Sequence, residues 1–400
     1  MDFSLNDEQR MLDETVSRVI REQYGFEQRR GFAGEPGGFS AANWSLFAEL
    51  GLLAIPFAEE NGGFGGGGAE VMIVQRAFGR GLVLEPYLAA VVLAGGLVER
   101  LGSPEQRERL LSPLLAGKSR LALAWGEPEG RYDHRTVTTR AERDGDGYRL
   151  SGHKAVVLHG DSADRLLVTA RTAGGPADRD GLSVFVVDPA QPGVGVRGYA
   201  TIDGLRAAEV RLDGVHVGAD ARLGPEGGAA DALDAVMAAG CAALCAEAVG
   251  AMEAACELTL DYLKTRRQFG APIGRFQALQ HRMVDMRIAL EQAHSMAILA
   301  ACSLNLPAAE RDRRIAAAKV VIGNSGRFVA EQAIQLHGGM GMTDEAMVSH
   351  LAKRLVLIDH HLGDADFHLG RFAASGDDDL RTDKLVPASR FSHSLRGSGR

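Results

Sequence analysis

The period of the apolar residues changes twice along this 400-residue chain, and that change constrains the fold more than any single motif does. The segment before about residue 119 and the segment after about residue 227 space their apolar side chains as helices do. The segment between them carries short alternating runs that Gly and Pro interrupt, which is typical of strands. We therefore predict an α+β protein with helical parts on either side of a β domain.

The predicted parts are an N-terminal helical domain (1–119), a middle β domain (120–226) and a C-terminal four-helix bundle (227–374). Within the β domain, the Asp-Gly-Asp-Gly sequence at 144–147 separates two alternating runs and predicts a hairpin. Residues 375–400 are polar and rich in Ser, Arg, Gly and Asp. This composition favours a flexible tail.

The most apolar segment, 235–252, is long enough to approach the length of a membrane span, but Ala and Gly dominate it and Glu247 interrupts it. We predict that it forms a helix buried inside the bundle. The net charge of −8 argues against nucleic acid or an anionic membrane as the main partner.

The first ten residues carry acids where a signal peptide carries bases. The four cysteines lie in Ala-rich helical segments without a Cys-x-x-Cys pair, and we expect them to be reduced, buried thiols of a cytoplasmic protein. They are Cys241, Cys245, Cys256 and Cys302.

A literal dinucleotide-binding fingerprint, Gly63-x-Gly65-x-x-Gly68, occurs early in the chain. Its context argues against that function, because no strand leads directly into the first glycine and no βαβ pattern surrounds it. We predict a surface loop between two helices.

Two motifs in the bundle indicate a ligand site. In RRQFGAPIGRFQ, a helix ends on Arg266 and Arg267 and the chain turns through an aromatic residue, Gly and Pro. An arginine fork beside an aromatic ring suits a large anion that has a flat part. In QLHGGMGMTDE, Gly338 and Gly339 follow another long helix. That pair fits a plain helix–helix turn and a close backbone approach to a ligand equally well.

The three-part order and these two motifs together resemble the acyl-CoA dehydrogenase family, over about residues 1–373. Within that family the sequence as a whole most resembles the small subunits of bacterial pimeloyl-CoA dehydrogenases. The resemblance implies an FAD-dependent α,β-dehydrogenation of an acyl-CoA thioester, with a dicarboxylic acyl group suggested by the pimeloyl likeness. It also implies electron transfer flavoprotein as electron acceptor and a homo- or hetero-tetramer.

In such enzymes FAD lies between the β domain and the bundle and reaches into a neighbouring subunit. By resemblance, Arg266 contacts the FAD pyrophosphate, Phe269 packs near the adenosine half and Gln277 hydrogen-bonds the cofactor. The far end of the cofactor is then lined by Gln335, Leu336, His337, Gly338 and Gly339.

The chain departs from the family pattern at the catalytic base. The two positions that carry the base carboxylate in the family correspond to Leu362 and Gly240. The β domain also departs, with Val156 where Trp is usual, and with Leu158 and His159 where Thr and Asn are usual.

Glu247 is the candidate for a replacement base, since it is the only charged residue in its apolar segment. An apolar, partly dry environment would suit proton abstraction. A structural ion pair with an arginine is the alternative explanation for the same acid.

Two further functions remain open at this stage, a non-catalytic subunit of a heteromeric dehydrogenase and a flavin oxidase or monooxygenase of the same fold. His360, Asp364 and His368 have a spacing that a metal could use, but no further ligand is evident from the sequence. We expect a solvated or cofactor-side helix face there and no metal site.

Overall fold

The N-terminal part is helical in the computed structural model, which describes residues 4–381. Its α-helices are α1 (Asp7–Gln23), α2 (Phe26–Ala33), α3 (Ala41–Glu49), α4 (Gly68–Gly81), α5 (Gly96–Leu101) and α6 (Pro104–Leu115). A π-helical segment, Tyr87–Gly95, leads into α5. The residues of the glycine fingerprint form a loop that ends where α4 begins, as predicted.

The middle part is one eight-stranded sheet in the order β6-β7-β3-β2-β4-β5-β8, with β1 paired to β4. Its strands are β1 (Leu121–Ala124), β2 (Arg140–Asp144), β3 (Gly147–Leu158), β4 (Arg165–Arg171), β5 (Leu182–Val187), β6 (Val194–Ala200), β7 (Arg206–Gly218) and β8 (Arg222–Leu223). The predicted hairpin joins β2 to β3, where Asp144 pairs with Gly147.

The C-terminal part is a bundle of long helices. They are α7 (Ala230–Thr265), α8 (Gln277–Ser303), α9 (Ala308–His337), α10 (Met347–His360) and α11 (Ala365–Arg381). A two-stranded hairpin, β9 (Arg267–Gln268) with β10 (Ala271–Pro272), separates α7 from α8. Helix α11 continues past residue 375, where the polar tail was expected to begin, and the tail residues 382–400 lie outside the described part of the chain.

Helix α7 is the central element of the fold. By length and composition it could cross a membrane, but 89% of its most apolar window is buried inside the protein, as expected for the core helix of a bundle. It meets α4 with almost no gap. A β carbon on Gly79 would collide with the backbone of Glu247, and one on Gly250 would collide with the backbone of Arg76. The two helices therefore touch through backbone atoms, which only glycine permits.

Candidate functional site

The predicted basic-aromatic corner is a tight hairpin at the end of α7. Phe269 and Gly270 occupy its two turn positions with φ of 53° and 78°. Two positive φ values define the type I′ turn that two-residue hairpins favour, for which Asn-Gly is the preferred sequence. A bulky residue is strained in this conformation. Strain at an exposed aromatic residue points to a role other than folding.

The side chains around this hairpin are open to solvent. The ring of Phe269 is 90% exposed and makes an edge contact with the ring of Phe276. Arg266 is exposed immediately after α7, and Gln277 is exposed at the first position of α8. Within the described residues, no hydrogen bond or ion pair engages the guanidinium of Arg266. The predicted cofactor-binding side chains of this corner are thus free to meet a ligand.

The second motif lies beside the first at the same end of the bundle. The ring of Tyr262, four residues before Arg266, stacks on the ring of His337 with centroids 4.5 Å apart. Gln335 is exposed, whereas Leu336 and His337 are buried. The side chains of Leu336 and His337 therefore lie away from the surface on which the other predicted cofactor residues are exposed.

The two glycines of the second motif differ in what they require. Gly338 has φ 61° and ψ −142°, a conformation that is essentially restricted to glycine. Gly339 has no such constraint, and a β carbon there would meet nothing within 4 Å. Packing inside the chain therefore gives no reason for glycine at 339. This observation favours close approach of a ligand or a partner over a plain turn.

This surface fits the adenosine diphosphate end of FAD. It presents a free guanidinium for a pyrophosphate, an exposed ring for a flat group and a glycine backbone that another molecule can approach. All three features are uncovered in the single chain, so the ligand or a second chain must complete the site.

The two family positions for the base face each other inside the bundle. The Cδ1 atom of Leu362 lies 2.7 Å from the point where a β carbon on Gly240 would stand, and a methyl carbon of Leu93 lies 2.6 Å from it. Leu362 is buried and has φ 58°, a strained value for a leucine. Aliphatic carbon therefore occupies the space next to both positions.

Glu247 is held in a buried ion pair. The Nε and Nη2 atoms of Arg354 donate to the two carboxylate oxygens of Glu247 at 2.6 and 2.8 Å. The Nη1 atom donates to Asp203 in the β domain at 2.8 Å. Although burial alone would raise the pKa of Asp203, the charge of Arg354 holds it below its usual value.

The expectation of an apolar environment for Glu247 is therefore wrong. Both oxygens of this carboxylate accept from a guanidinium, which is the structural ion pair that the sequence left open. The role of Glu247 as a base stays a prediction that the geometry does not favour.

A small cavity lies beside this ion pair, where the three parts of the chain meet. Its volume is about 30 Å³, and its lining includes Glu247, Arg354 and residues from the N-terminal and β parts. Three polar atoms of the lining have no hydrogen-bond partner among the described residues: Gln75 Nε2, Tyr87 Oη and His159 Nδ1. A polar cavity of this size is suited to one or two ordered water molecules.

Burial shifts two titratable groups of this cavity in opposite directions. It raises the pKa of Glu85 to about 7, and the same carboxylate accepts a hydrogen bond from Tyr24. It lowers the pKa of His159 to about 4, so this ring is neutral near pH 7. Desolvation disfavours the charged form of both groups.

On the other side of Leu362, a loop of the β domain closes onto the bundle. The hydroxyl of Tyr132 lies 3.2 Å from Nδ1 of His360, and its ring packs against Phe367 at 5.6 Å between centroids. Two residues on, His134 Nε2 lies 2.7 Å from Asp234 in α7. These contacts join the two parts directly.

The three residues whose spacing a metal could use, His360, Asp364 and His368, do not converge on a common point. His360 faces Tyr132, while Nε2 of His368 lies 2.9 Å from the carbonyl oxygen of Leu362. Within residues 4–381, no group of three potential ligands has the geometry to hold a metal ion.

Sequence reasoning missed two residues of this region, Arg354 and Tyr132. A signal for Arg354 was present, because it lies three residues after Leu351 and four before Ile358, within the apolar stripe of α10. An arginine on an apolar helix face is buried and needs an acidic partner, and Glu247 was the acid that the sequence placed in a buried segment. No local pattern marks Tyr132.

Comparison with known proteins bears on these observations. Three family models match the chain, those for the N-terminal domain (residues 6–118), the middle domain (122–215) and the C-terminal domain (226–375) of acyl-CoA dehydrogenases. A probable acyl-CoA dehydrogenase of Bacillus subtilis, YngJ, is 30% identical over 90% of this chain and 95% of its own length.

Solved structures give the same picture. The ChsE4–ChsE5 complex from Mycobacterium tuberculosis contains a chain that is 28% identical, with a TM-score of 0.84 over 96% of this chain and 100% of that one. A structure described as the FAD complex of PigA has a TM-score of 0.86 over 94% of this chain and 99% of that one. At 24% identity this second likeness shows the fold alone.

Proposed function

The chain belongs to the acyl-CoA dehydrogenase family of FAD-dependent oxidoreductases, and from this premise we propose that it is one subunit of a heteromeric enzyme. The reaction is the dehydrogenation of an acyl-CoA thioester to the trans-2-enoyl-CoA. Its relatives include dehydrogenases and reductases, so the family fixes the class of chemistry, and the direction of the reaction and its substrate are part of the proposal.

The reaction needs a carboxylate next to the α carbon of the thioester. That group takes the α proton, and FAD, when bound, accepts the hydride that leaves the β carbon. The carboxylate must be free to accept a proton, which a bidentate pair with arginine prevents. A base is therefore expected from a partner chain.

The observation that carries the proposal is the contact between Leu362 and Gly240. Both family base positions meet there, and neither has a group that titrates. A methyl carbon of Leu93 lies 2.6 Å from the same point, so a side chain at position 240 has no room beside Leu362.

In the proposed assembly, the exposed corner of this chain contributes to the FAD site of a neighbouring subunit. Arg266 and Phe269 are open to solvent at the end of α7, where a neighbouring subunit and its FAD can dock. The relative in the ChsE4–ChsE5 complex is part of an assembly of two different chains, which supports a heteromer. Electron transfer flavoprotein is the proposed electron acceptor, as in the family.

The dicarboxylic acyl group implied by the pimeloyl likeness remains a proposal. A distal carboxylate would need a free cation in the cleft, and Arg354 is already engaged by Glu247 and Asp203. The cytoplasmic localisation is likewise proposed. It is supported by the four cysteines, which are free thiols. Three of them are buried as expected, whereas the expectation was wrong for Cys302, which is exposed.

The test is a comparison of the chain alone with the chain co-expressed with its partner subunit. Turnover of octanoyl-CoA and pimeloyl-CoA is followed with electron transfer flavoprotein as acceptor. We expect no turnover by the chain alone and turnover by the complex. Turnover by the chain alone contradicts the heteromer and returns Glu247 to consideration as the base. Rapid reoxidation of the reduced complex by air favours the oxidase alternative.

A further inference from the structure

We infer that the cleft between the β domain and the bundle of this chain does not hold a flavin ring. The FAD that its corner binds then extends into the cleft of the partner subunit. This inference rests on the proposed heteromer and specifies which cleft the cofactor uses. It follows from a disagreement between the two halves of the site, because the corner fits FAD and the cleft does not.

The first observation is the lack of space. In the family the ring lies between the end of β3 and the bundle, which in this chain means between Leu158 and Leu362. The cavity at Leu158 has a volume of about 30 Å³, and it is lined by Glu247, Arg354 and His361 on the bundle side. Pockets that bind small-molecule ligands such as a flavin ring measure roughly 300–1,000 Å³. At Gly240 the side chains of Leu93 and Leu362 both approach the position of a β carbon, at 2.6 and 2.7 Å.

The second observation is that polar contacts cross the cleft on both sides of this space. Asp203 joins the β domain to Arg354 of α10 at 2.8 Å, with both side chains buried. On the other side, His134 joins the β domain to Asp234 of α7 at 2.7 Å, and both of these side chains are also buried. Breaking buried pairs of this kind is strongly destabilising, so opening the cleft would carry a large free-energy cost.

The third observation concerns Tyr132, which occupies the mouth of the cleft. Its ring packs on Phe367 of α11, and its hydroxyl reaches His360 of α10. The aromatic side chain thus spans from the β domain to two helices of the bundle. A ring inserted beside Leu362 would have to displace it.

The fourth observation is that the β-domain wall offers the ring little to bind. Val156 stands where the family has Trp, and its aliphatic side chain is 53% exposed. It has φ 52°, a value that is a clear outlier for a β-branched residue. The side chain of Leu158 has no group that can donate a hydrogen bond. The end of β3 therefore lacks the side chains that would bind a ring.

The corner and the cleft therefore belong to two different cofactor sites. In a complex of this chain with its partner, the corner of this chain completes the partner's site, whereas its own cleft stays closed. We expect one FAD for every two chains rather than one for each chain.

The first experiment titrates the purified chain alone with FAD and, separately, with ADP, by calorimetry. If the cleft does not bind the flavin ring, the flavin half of FAD adds no binding free energy. The dissociation constants of FAD and ADP should then differ by less than about tenfold. Absence of measurable binding of either compound agrees with the same conclusion. FAD binding that is tighter than ADP binding by about tenfold or more would overturn the inference.

The second experiment measures FAD in the purified complex from the absorbance of the cofactor released by heat. Half an FAD per chain is expected, and one FAD per chain would refute the inference while leaving the heteromer intact. The same measurement is then made on the Tyr132→Ser variant, which removes the aromatic ring from the mouth of the cleft. It should leave the stoichiometry unchanged, because the buried pairs still close the cleft. A rise to one FAD per chain would overturn the inference, because it would show that the buried pairs do not close the cleft.

Discussion

Leu362 and Gly240 lie in contact across the interface of α7 with the turn that follows α10, with the Cδ1 atom of the leucine 2.7 Å from the site of a β carbon on the glycine. In the family both positions are ones from which a base can act. In this chain they form a closed apolar contact, and the expected outcomes below depend on it.

The variant Leu362→Glu places a carboxylate at one of these positions. We expect turnover of the complex to stay within about twofold of the unmodified complex, because a base without a flavin ring beside it has no hydride acceptor. Stability should fall, since the new carboxylate is buried without a partner. The measurement is steady-state turnover together with thermal unfolding, and Leu362→Met serves as the control of similar volume. A clear gain in turnover would contradict the closed cleft.

Glu247→Gln tests the ion pair against the base hypothesis. The variant removes the charge that both Nε and Nη2 of Arg354 contact and leaves Asp203 as the acidic partner of this arginine, so we expect the free energy of unfolding to fall by about 1.5–3 kcal/mol. Turnover per assembled complex should remain within about threefold. The control is Glu257→Gln on the same helix, which removes a carboxylate that is 61% exposed. A loss of turnover of about a hundredfold with FAD retained would restore Glu247 as the base.

Arg266→Ala should lower the FAD content of the complex. A charge-assisted contact to phosphate contributes about 1.5–3 kcal/mol, which corresponds to a dissociation constant roughly 10- to 150-fold higher. Absorbance of the purified complex gives the occupancy. Arg109→Ala removes another exposed arginine, which pairs with exposed Asp220, and should leave the FAD content unchanged. Full occupancy in the Arg266 variant would remove this residue from the cofactor site.

Phe269→Asn separates folding from function at the hairpin. Asn-Gly is the preferred sequence for this turn, so the variant should relieve strain and stabilise the protein by about 1 kcal/mol. The same variant should weaken FAD binding, because the exposed ring is lost. Thermal unfolding and cofactor content are measured on one preparation. Unchanged FAD content would mean that the ring has no part in binding.

The buried histidine at 159 predicts a loss of stability in acid. Its pKa falls from 6.5 to about 4 on burial, so the folded state favours the neutral ring. The resulting stability is fully present above pH 6.5 and is lost as the pH falls from 6.5 toward 4. His159→Asn should reduce the loss of unfolding free energy between pH 7.5 and pH 4.5 by about 2–3 kcal/mol. Equal losses in both proteins would show that the ring is not held neutral.

The sequence predicts the order of the three folded parts because each has its own periodicity. The alternating runs of 120–226 become the strands of one sheet, and the Ala-rich segment around Glu247 becomes the buried helix α7. The corner at Arg266 was also predicted, since its residues are contiguous and their chemistry is specific. The surroundings of Glu247 were not, because the partner lies 107 residues away and a single sequence gives no distance between them.

Closure of the cleft is a property of long-range packing, and this explains why the substitutions alone did not reveal it. Loss of a base at Leu362 is visible in the sequence, whereas the approach of Leu93 to the same point depends on how the π-helical segment meets α7. Tyr132 has no local pattern of its own. Its effect arises only when the β domain is placed against α10 and α11.

The direct contact of α4 with α7 has a mechanical consequence. Helix α7 has 36 residues and is therefore about 54 Å long, and the corner at Arg266 begins where it ends. Since backbone atoms meet at Gly79 and Gly250, no side chain between the helices can repack to absorb a shift of α7. A displacement imposed on the corner by a docking subunit is thus transmitted along a rigid rod to the N-terminal helices. We therefore expect the rate of amide hydrogen exchange in α4, far from the docking surface, to change when the complex assembles.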